Sequence, residues 1–117
     1  MKRHLVISTS IELVRIAPDK IVYIASDGNY STLMQADNEV RMLSHQLGEI
    51  ARMIDNQLGK DGENFMRLGR SLIINSSYVY YINIPQQKLI LSDATSFSHT
   101  VSASKEVLKQ LKEQLEG

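Results

Sequence analysis

Residues 65–79, FMRLGRSLIINSSYV, join a basic segment directly to an apolar one. Arg67 and Arg70 lie three positions apart, and the apolar run 72–74 follows at once. A short apolar run bounded by glycine and polar residues is typical of a buried strand. The stretch therefore predicts a strand with two arginines at its N-terminal end, where a rigid backbone would hold their side chains in a defined direction.

The length and composition predict one folded domain over residues 1–117 with a single core. Apolar residues make up 43% of the 117 residues and charged residues 22%, which is typical of globular proteins. The chain has no cysteine, which excludes disulfides and cysteine-based zinc sites, and we expect a cytoplasmic location. The apolar runs are far shorter than the roughly 20 residues of a membrane helix, so we expect no membrane segment.

Period-two alternation of apolar and polar residues on both sides of this stretch predicts mainly strands. Turn residues separate them; Asp27-Gly28-Asn29, for example, predicts a hairpin because glycine and asparagine tolerate positive φ. The expected strands are 4–9, 11–16, 21–26, 30–35, 40–43, 72–74, 77–84, 88–92 and 96–101.

Two segments instead have the apolar spacing of helices, and we expect helices only near residues 45–58 and 102–115. Ser44 is the expected N-cap of the first and Gly59 its end, and Ser102 is the expected N-cap of the second. The predicted buried residues of the whole chain are Ile24, Leu47, Ile50, Phe65, Ile73, Tyr80, Leu91, Phe97, Leu108 and Leu111.

The sequence shows no catalytic motif, so we expect no enzyme, no cofactor and no metal site. The histidines, at positions 4, 45 and 99, lack the spacing of metal ligands. His99 shares a strand face with Phe97 and Val101, which favours a partly buried, hydrogen-bonded role. No glycine-rich phosphate loop or nucleophile elbow occurs.

Two interpretations of the basic stretch remain open. Arg67 and Arg70 could form ordinary surface ion pairs, which contribute little, or they could bind phosphate oxygens. Asn75 could pair with a base edge, or it could bond to neighbouring backbone. Because 13 basic residues balance 13 acidic ones, any contact with nucleic acid must be local.

Three segments together resemble the LytTR DNA-binding domain, the output domain of many bacterial response regulators. They are APDKIVYIASDGNYSTLM (17–34), FMRLGRSLIIN (65–75) and HTVSASKEVLKQL (99–111). The resemblance covers nearly the whole chain. It implies a mainly β fold, an elongated arrangement of antiparallel β-sheets with two short helices, that docks on double-stranded DNA through loops rather than a recognition helix.

The resemblance also implies roles for particular residues. A turn would enter a groove, a basic pair with a neighbouring serine would hold the DNA backbone, and an asparagine would reach a base. In that order these residues are Asn29, Tyr30, Arg67, Arg70, Ser71 and Asn75. Lys105, which the family pattern does not supply, is a further expected DNA-binding residue because of its charge.

The chain departs from the family pattern at two positions. Gly69 stands where the family more often has histidine, and Ala103 stands where an arginine usually follows the serine. One base contact is therefore missing, unless Lys105 supplies its charge. Together with the neutral net charge, this predicts modest affinity, with a possible homodimer on repeated half-sites.

We therefore predict a bacterial, sequence-specific DNA-binding transcriptional regulator of the LytTR type. The alternative is a small β-rich protein-interaction module that has lost DNA binding. An uncharacterised enzyme is a third possibility, without a motif to support it.

Overall fold

The computed structural model describes residues 3–117, which form two compact units, one ending at Ser76 and one running from Ser77 to Gly117. Every strand pair is antiparallel, and strands hold more residues than helices. The prediction of a mainly β chain with two helices is confirmed. That residues 1–117 act as a single domain stays a prediction.

The first unit places one α-helix between its fifth and sixth strands. Its elements are β1 (Leu5–Ser8), β2 (Leu13–Ile16), β3 (Ile21–Asp27), β4 (Tyr30–Gln35), β5 (Val40–Leu43), α1 (Leu47–Leu58), β6 (Phe65–Leu68) and β7 (Leu72–Asn75). Short 3-10 turns occupy Pro18–Lys20 and Gly59–Gly62.

The order of strands brings two distant turns to the same end of one sheet. β1 and β2 form a separate hairpin, whereas the larger sheet has the order β5-β4-β3-β7-β6. Ala25 of β3 lies opposite both Thr32 of β4 and Leu72 of β7, so the end of β3 meets the start of both neighbours. β5 ends there too, because Leu43 lies opposite Ser31. We call this end, with turns 28–29 and 69–71 and segment 44–46, the turn end.

Helix α1 covers one face of this sheet with an apolar stripe. Leu47, Ile50, Ile54 and Leu58 are buried, as their helical spacing requires. They pack in one cluster with Leu5, Ile7, Ile16, Ile21, Ile24, Leu33, Leu43 and Ile73. Each such side chain contributes about 1.5–3 kcal/mol when fully buried, so the cluster holds the helix and its first turn firmly against the sheet.

The first helix begins later than its sequence predicts. Gln46, rather than Ser44, is the N-cap, and the Glu49 carboxylate accepts a hydrogen bond of 3.3 Å from the Gln46 backbone N–H. The prediction for Ser44 was wrong because the Ser31 hydroxyl donates to the His45 carbonyl. That bond keeps the preceding segment out of the helix.

The second unit is a three-stranded sheet followed by a helix. Its strands are β8 (Val79–Asn83), β9 (Lys88–Ser92) and β10 (Ser98–Ser102), in the order β10-β9-β8, and the helix is α2 (Lys105–Glu116). A 3-10 turn at Ser76–Tyr78 precedes β8. The buried apolar side chains of the unit are Leu89, Leu91, Phe97, Leu108 and Leu111. His99 is half-buried and stacks on Phe97, with ring centroids 5.7 Å apart.

The N-cap of α2 also differs from the prediction. Ser104 is the cap, and its hydroxyl accepts a hydrogen bond of 3.2 Å from the Val107 N–H. Ser102 instead ends β10, where it pairs with Lys88. The strand thus ends one residue later than predicted and the helix cap lies two residues later, so Ala103 precedes the helix rather than beginning it.

Eight of the ten predicted core residues are buried, and two are not. Phe65 is half-buried and packs against the edge of the core cluster. Tyr80 is 68% exposed, so its prediction was wrong. The register shifts between Val79, opposite Leu91, and Tyr81, opposite Ile90. Tyr80 is the extra residue of this bulge, and a bulge redirects side chains from the face that alternation would give them.

Candidate nucleic-acid interface

The β3–β4 turn projects Asn29 and Tyr30 from the turn end. Asp27 pairs with Tyr30, which leaves a two-residue connection. Gly28 has φ 67°, whereas Asn29 is not among the residues with positive φ, the pattern of a type II′ turn. Asn29 and Tyr30 are both exposed, and the Asn29 Oδ1 accepts a hydrogen bond of 3.3 Å from the Gln46 Nε2. The start of α1 therefore supports the turn from the side.

The β6–β7 turn presents Arg67, Arg70 and Ser71 at the same end. Gly69, at φ 65°, adopts a left-handed conformation that few other residues take without strain. The Arg67 Nη2 lies 3.5 Å from the Arg70 carbonyl oxygen, a long hydrogen bond across the turn. The Ser71 carbonyl accepts a bond of 2.8 Å from the Ser26 N–H, which fixes this turn to β3. All three side chains are exposed.

No carboxylate neutralises this basic pair. The ion pairs formed within residues 3–117 join Arg3 to Asp61, His45 to Glu49 and Lys112 to Glu116, and none includes Arg67 or Arg70. The interpretation of the two arginines as ordinary surface ion pairs therefore has no support in the described structure. Two exposed cations without a counter-charge in residues 3–117 are available to bind an external anion.

Asn75 lies at the opposite end of the sheet, inside the unit. Its side chain is 4% exposed, and its Nδ2 donates to the carbonyls of Ile21 at 3.0 Å and Pro18 at 3.4 Å. A DNA base cannot reach this amide while the fold is intact. The structure therefore favours the backbone-bonding interpretation of Asn75 over the expected contact with a base.

Lys105 belongs to the second unit, as the first residue of α2, and its side chain is exposed. Ala103, two residues earlier, is half-buried, and its N–H donates a long bond of 3.4 Å to the Gln87 carbonyl. The structure thus brings five of the seven expected site residues to the turn end, namely Asn29, Tyr30, Arg67, Arg70 and Ser71.

A family model described as the LytTr DNA-binding domain matches residues 12–116. The chain belongs to the LytTR family. Among solved structures, a LytTr DNA-binding domain from Bacillus cereus is similar over 100% of both chains, with a TM-score of 0.63 and 18% sequence identity. At this identity the likeness shows the fold. A search of curated proteins found no match.

Membership makes this LytTR domain a DNA-binding domain of the kind found in response regulators, and the family is not a catalytic one. Within residues 3–117 no group of histidine, aspartate and glutamate side chains could hold a metal ion. In the same range no helix has the length and apolar character needed to cross a membrane. Strand β1 lies ahead of the matched range, yet its Leu5 and Ile7 belong to the core.

Helix α1 also contributes to the turn end of this LytTR domain, which was not expected from the sequence. A methyl group added at Gly48, in the first turn of the helix, would lie 3.6 Å from the Arg67 Nη1 and 3.9 Å from the Arg52 Nη1. Arg52 is exposed, like Arg67. The sequence gives no signal for this proximity, because residues 52 and 67 meet only when α1 packs on the sheet beside β6.

The acidic residue of this helix turn already has partners. The Glu49 Oε2 lies 3.3 Å from the His45 Nδ1, and the Glu49 Oε1 accepts from the Gln46 N–H. The pKa of Glu49 is lowered most by the hydrogen bond with His45 and next by the hydrogen bond from the Gln46 N–H. This carboxylate therefore caps the helix and stays ionised at neutral pH.

Proposed function

We propose that this LytTR domain is a sequence-specific transcription regulator that docks on double-stranded DNA through the turns and loops of its turn end. One observation carries the proposal: two turns from different hairpins lie side by side and expose two arginines, a serine, an asparagine and a tyrosine. These are the side chains that bind phosphates and read base edges.

The residues divide into two proposed roles. Arg67 and Arg70 bind backbone phosphates, since they have no protein counter-charge, and the Ser71 hydroxyl adds a phosphate hydrogen bond. Asn29 and Tyr30 enter a groove, where the amide of Asn29 can donate and accept at a base edge. Lys105 of the second unit contributes a further phosphate contact. Asn75 has no DNA contact in this proposal and holds the far end of the sheet.

The cellular role follows from the family rather than from the geometry. As the output domain of a bacterial response regulator, the protein would act in the cytoplasm, where the chromosome is. The net charge of zero limits its attraction to DNA, because phosphate neutralisation by lysine and arginine supplies most of the sequence-independent affinity. Two copies bound to repeated half-sites would raise the effective affinity without new contacts.

Salt-dependent binding tests the proposal. Fluorescence anisotropy with a labelled duplex is measured over a range of NaCl concentrations for wild type, Arg67→Ala and Arg70→Ala. Each substitution should weaken binding to all sequences and lower the slope of log affinity against log salt by up to about 0.9, the value for one phosphate. Arg15→Ala is the control, since Arg15 is an exposed arginine of β2.

Base reading needs a separate comparison. Asn29→Ala should change the preference among duplexes that differ at one position, with the salt slope unchanged. A folded wild type that binds no duplex would overturn the proposal and favour the protein-interaction module. So would an Arg67→Ala/Arg70→Ala variant that binds DNA like wild type but melts at a lower temperature.

A further inference from the structure

Arg52 and Arg67 converge on Gly48 from two elements that are distant in sequence. Arg52 lies on α1 and Arg67 on the edge strand β6, yet both Nη1 atoms approach the position that a Gly48 side chain would occupy, to 3.9 and 3.6 Å. The two guanidinium groups therefore flank the same point in the first turn of α1. Neither arginine takes part in an ion pair within the described range.

The Glu49 carboxylate, next to Gly48, is not paired with either arginine in the described structure. The positive charge of Arg52 makes a small contribution to the lowered pKa of Glu49, but the two carboxylate oxygens are hydrogen-bonded to His45 and to the Gln46 N–H. No hydrogen bond joins Glu49 to either arginine in the described structure. Both arginines are exposed, so guanidinium N–H groups of Arg52 and Arg67 remain available to an external anion.

Gly48 itself is not required by the backbone or by packing. Its φ lies outside the left-handed region, and an added methyl would meet the arginines only at ordinary contact distances. Glycine is also among the poorest helix formers. Without a side chain, the half-buried Gly48 leaves the position between the two guanidinium groups unfilled.

We propose that Arg52 and Arg67 together bind one phosphate of the DNA backbone at Gly48. The inference rests on the proposed DNA-binding function and extends it to a helix that the sequence did not implicate. The hydrogen bond between Gln46 and Asn29 places this phosphate site next to the turn that enters the groove. Two guanidinium forks on one phosphate would fix the register of that turn along the duplex.

A double-mutant comparison in the full chain tests whether the two arginines share a phosphate. Wild type, Arg52→Ala, Arg67→Ala and the double variant are titrated against a labelled duplex of arbitrary sequence at several NaCl concentrations. Arg52→Ala should bind more weakly than wild type. The double variant should lower the salt slope by about 0.9, the value for one phosphate, whereas two separate phosphates would lower it by about twice as much.

A second variant lowers the positive charge of the site without removing either arginine. Gly48→Asp places a carboxylate where the phosphate would bind, and an acidic residue in the first turn of a helix favours folding. It should reduce the salt slope as the double variant does, with the melting temperature unchanged or raised. Arg15→Ala again serves as the control for loss of one exposed arginine.

The outcomes separate this inference from the proposed function. If Arg67→Ala and Arg70→Ala weaken binding while Arg52→Ala and Gly48→Asp match wild type at every salt concentration, the DNA-binding function stands and the shared site is overturned. If the Arg52→Ala/Arg67→Ala variant lowers the slope of log affinity against log salt by about 1.8, the two arginines bind separate phosphates and the shared site is also overturned. If wild type binds no duplex, the proposed DNA-binding function is wrong, and the shared phosphate site is overturned with it.

Discussion

The hydroxyl of Ser31 donates a hydrogen bond of 2.8 Å to the backbone carbonyl of His45 and so joins β4 to the segment that leads into α1. Ser31 is fully buried, one residue after the exposed Tyr30. Ser31→Ala leaves this carbonyl without its donor and should lower the free energy of unfolding by about 1–3 kcal/mol, as measured by urea denaturation. Ser44→Ala, at an exposed serine beside the same carbonyl, should have little effect. Equal losses for both variants would contradict the role of this bond.

Substitution of Asn75 should affect stability and leave base preference intact. Asn75→Ala removes the donor to the Ile21 and Pro18 carbonyls and should lower the free energy of unfolding by about 1–3 kcal/mol. Asn75→Asp should be worse, because it buries a carboxylate facing carbonyl oxygens. Urea denaturation and a binding panel over single-base variants of one duplex measure the two effects. A changed preference at one base with normal stability would restore the base-reading interpretation.

The two serines before α2 provide a matched pair. Ser104→Ala removes the hydroxyl that accepts from the Val107 N–H and should lower the free energy of unfolding by about 0.5–2 kcal/mol. Ser102→Ala alters an exposed strand residue and should change it by far less. Thermal melting followed by circular dichroism compares them. A larger effect at Ser102 would mean that the helix begins where the sequence alone placed it.

Asp93 should make the stability of the chain sensitive to acid. Its carboxylate accepts hydrogen bonds from the Ser96 hydroxyl at 2.6 Å and from the backbone N–H groups of Thr95, Ser96 and Phe97. These bonds, the Ser96 hydroxyl first, hold the pKa of Asp93 well below its usual range. A lowered pKa means that the carboxylate stabilises the folded state above the ordinary aspartate pKa of about 3.9 and loses this effect as the pH falls below it.

Asp93→Asn should therefore melt at a lower temperature than wild type at pH 7, and the difference should shrink as the pH falls below about 4. Thermal melts across this pH range measure the difference, with Glu113→Gln as the control at an exposed acid of α2. A difference between wild type and Asp93→Asn that stays constant from neutral to acid pH would exclude the ionised carboxylate as its cause.

The β3–β4 and β9–β10 hairpins and the apolar faces of both helices were predictable, because turn residues and period are local signals, whereas strand β6 was not expected. Gly28 marks its turn, and 88–92 is a strand with the predicted bounds. The helix caps were not predictable to the residue. Ser102 and Ser104 satisfy the same local rule, and what separates them is the pairing of Ser102 with Lys88, a contact between strands. Tyr80 was misplaced for a similar reason, since a bulge depends on the partner strand.

The candidate site was predictable only in part. The sequence predicted Arg67 and Arg70 at the start of an apolar strand, and both are exposed there, Arg67 in β6 and Arg70 in the turn before β7. The burial of Asn75 follows from the chain near Ile21, more than 50 positions away. The proximity of Arg52 to Arg67 likewise depends on packing between a helix and an edge strand, and neither contact leaves a local pattern.

The pairing of β3 with β7 sets two turns side by side although about 40 residues separate them along the chain. An insertion inside either strand would move its turn by about 3.3 Å per residue and reverse the faces of its side chains. Exchanges within 28–29 or 69–71 leave every strand ladder intact. Under the proposed function, exchanges in these few residues would alter operator preference during evolution, while the unaltered sheet keeps the spacing between the two turns constant.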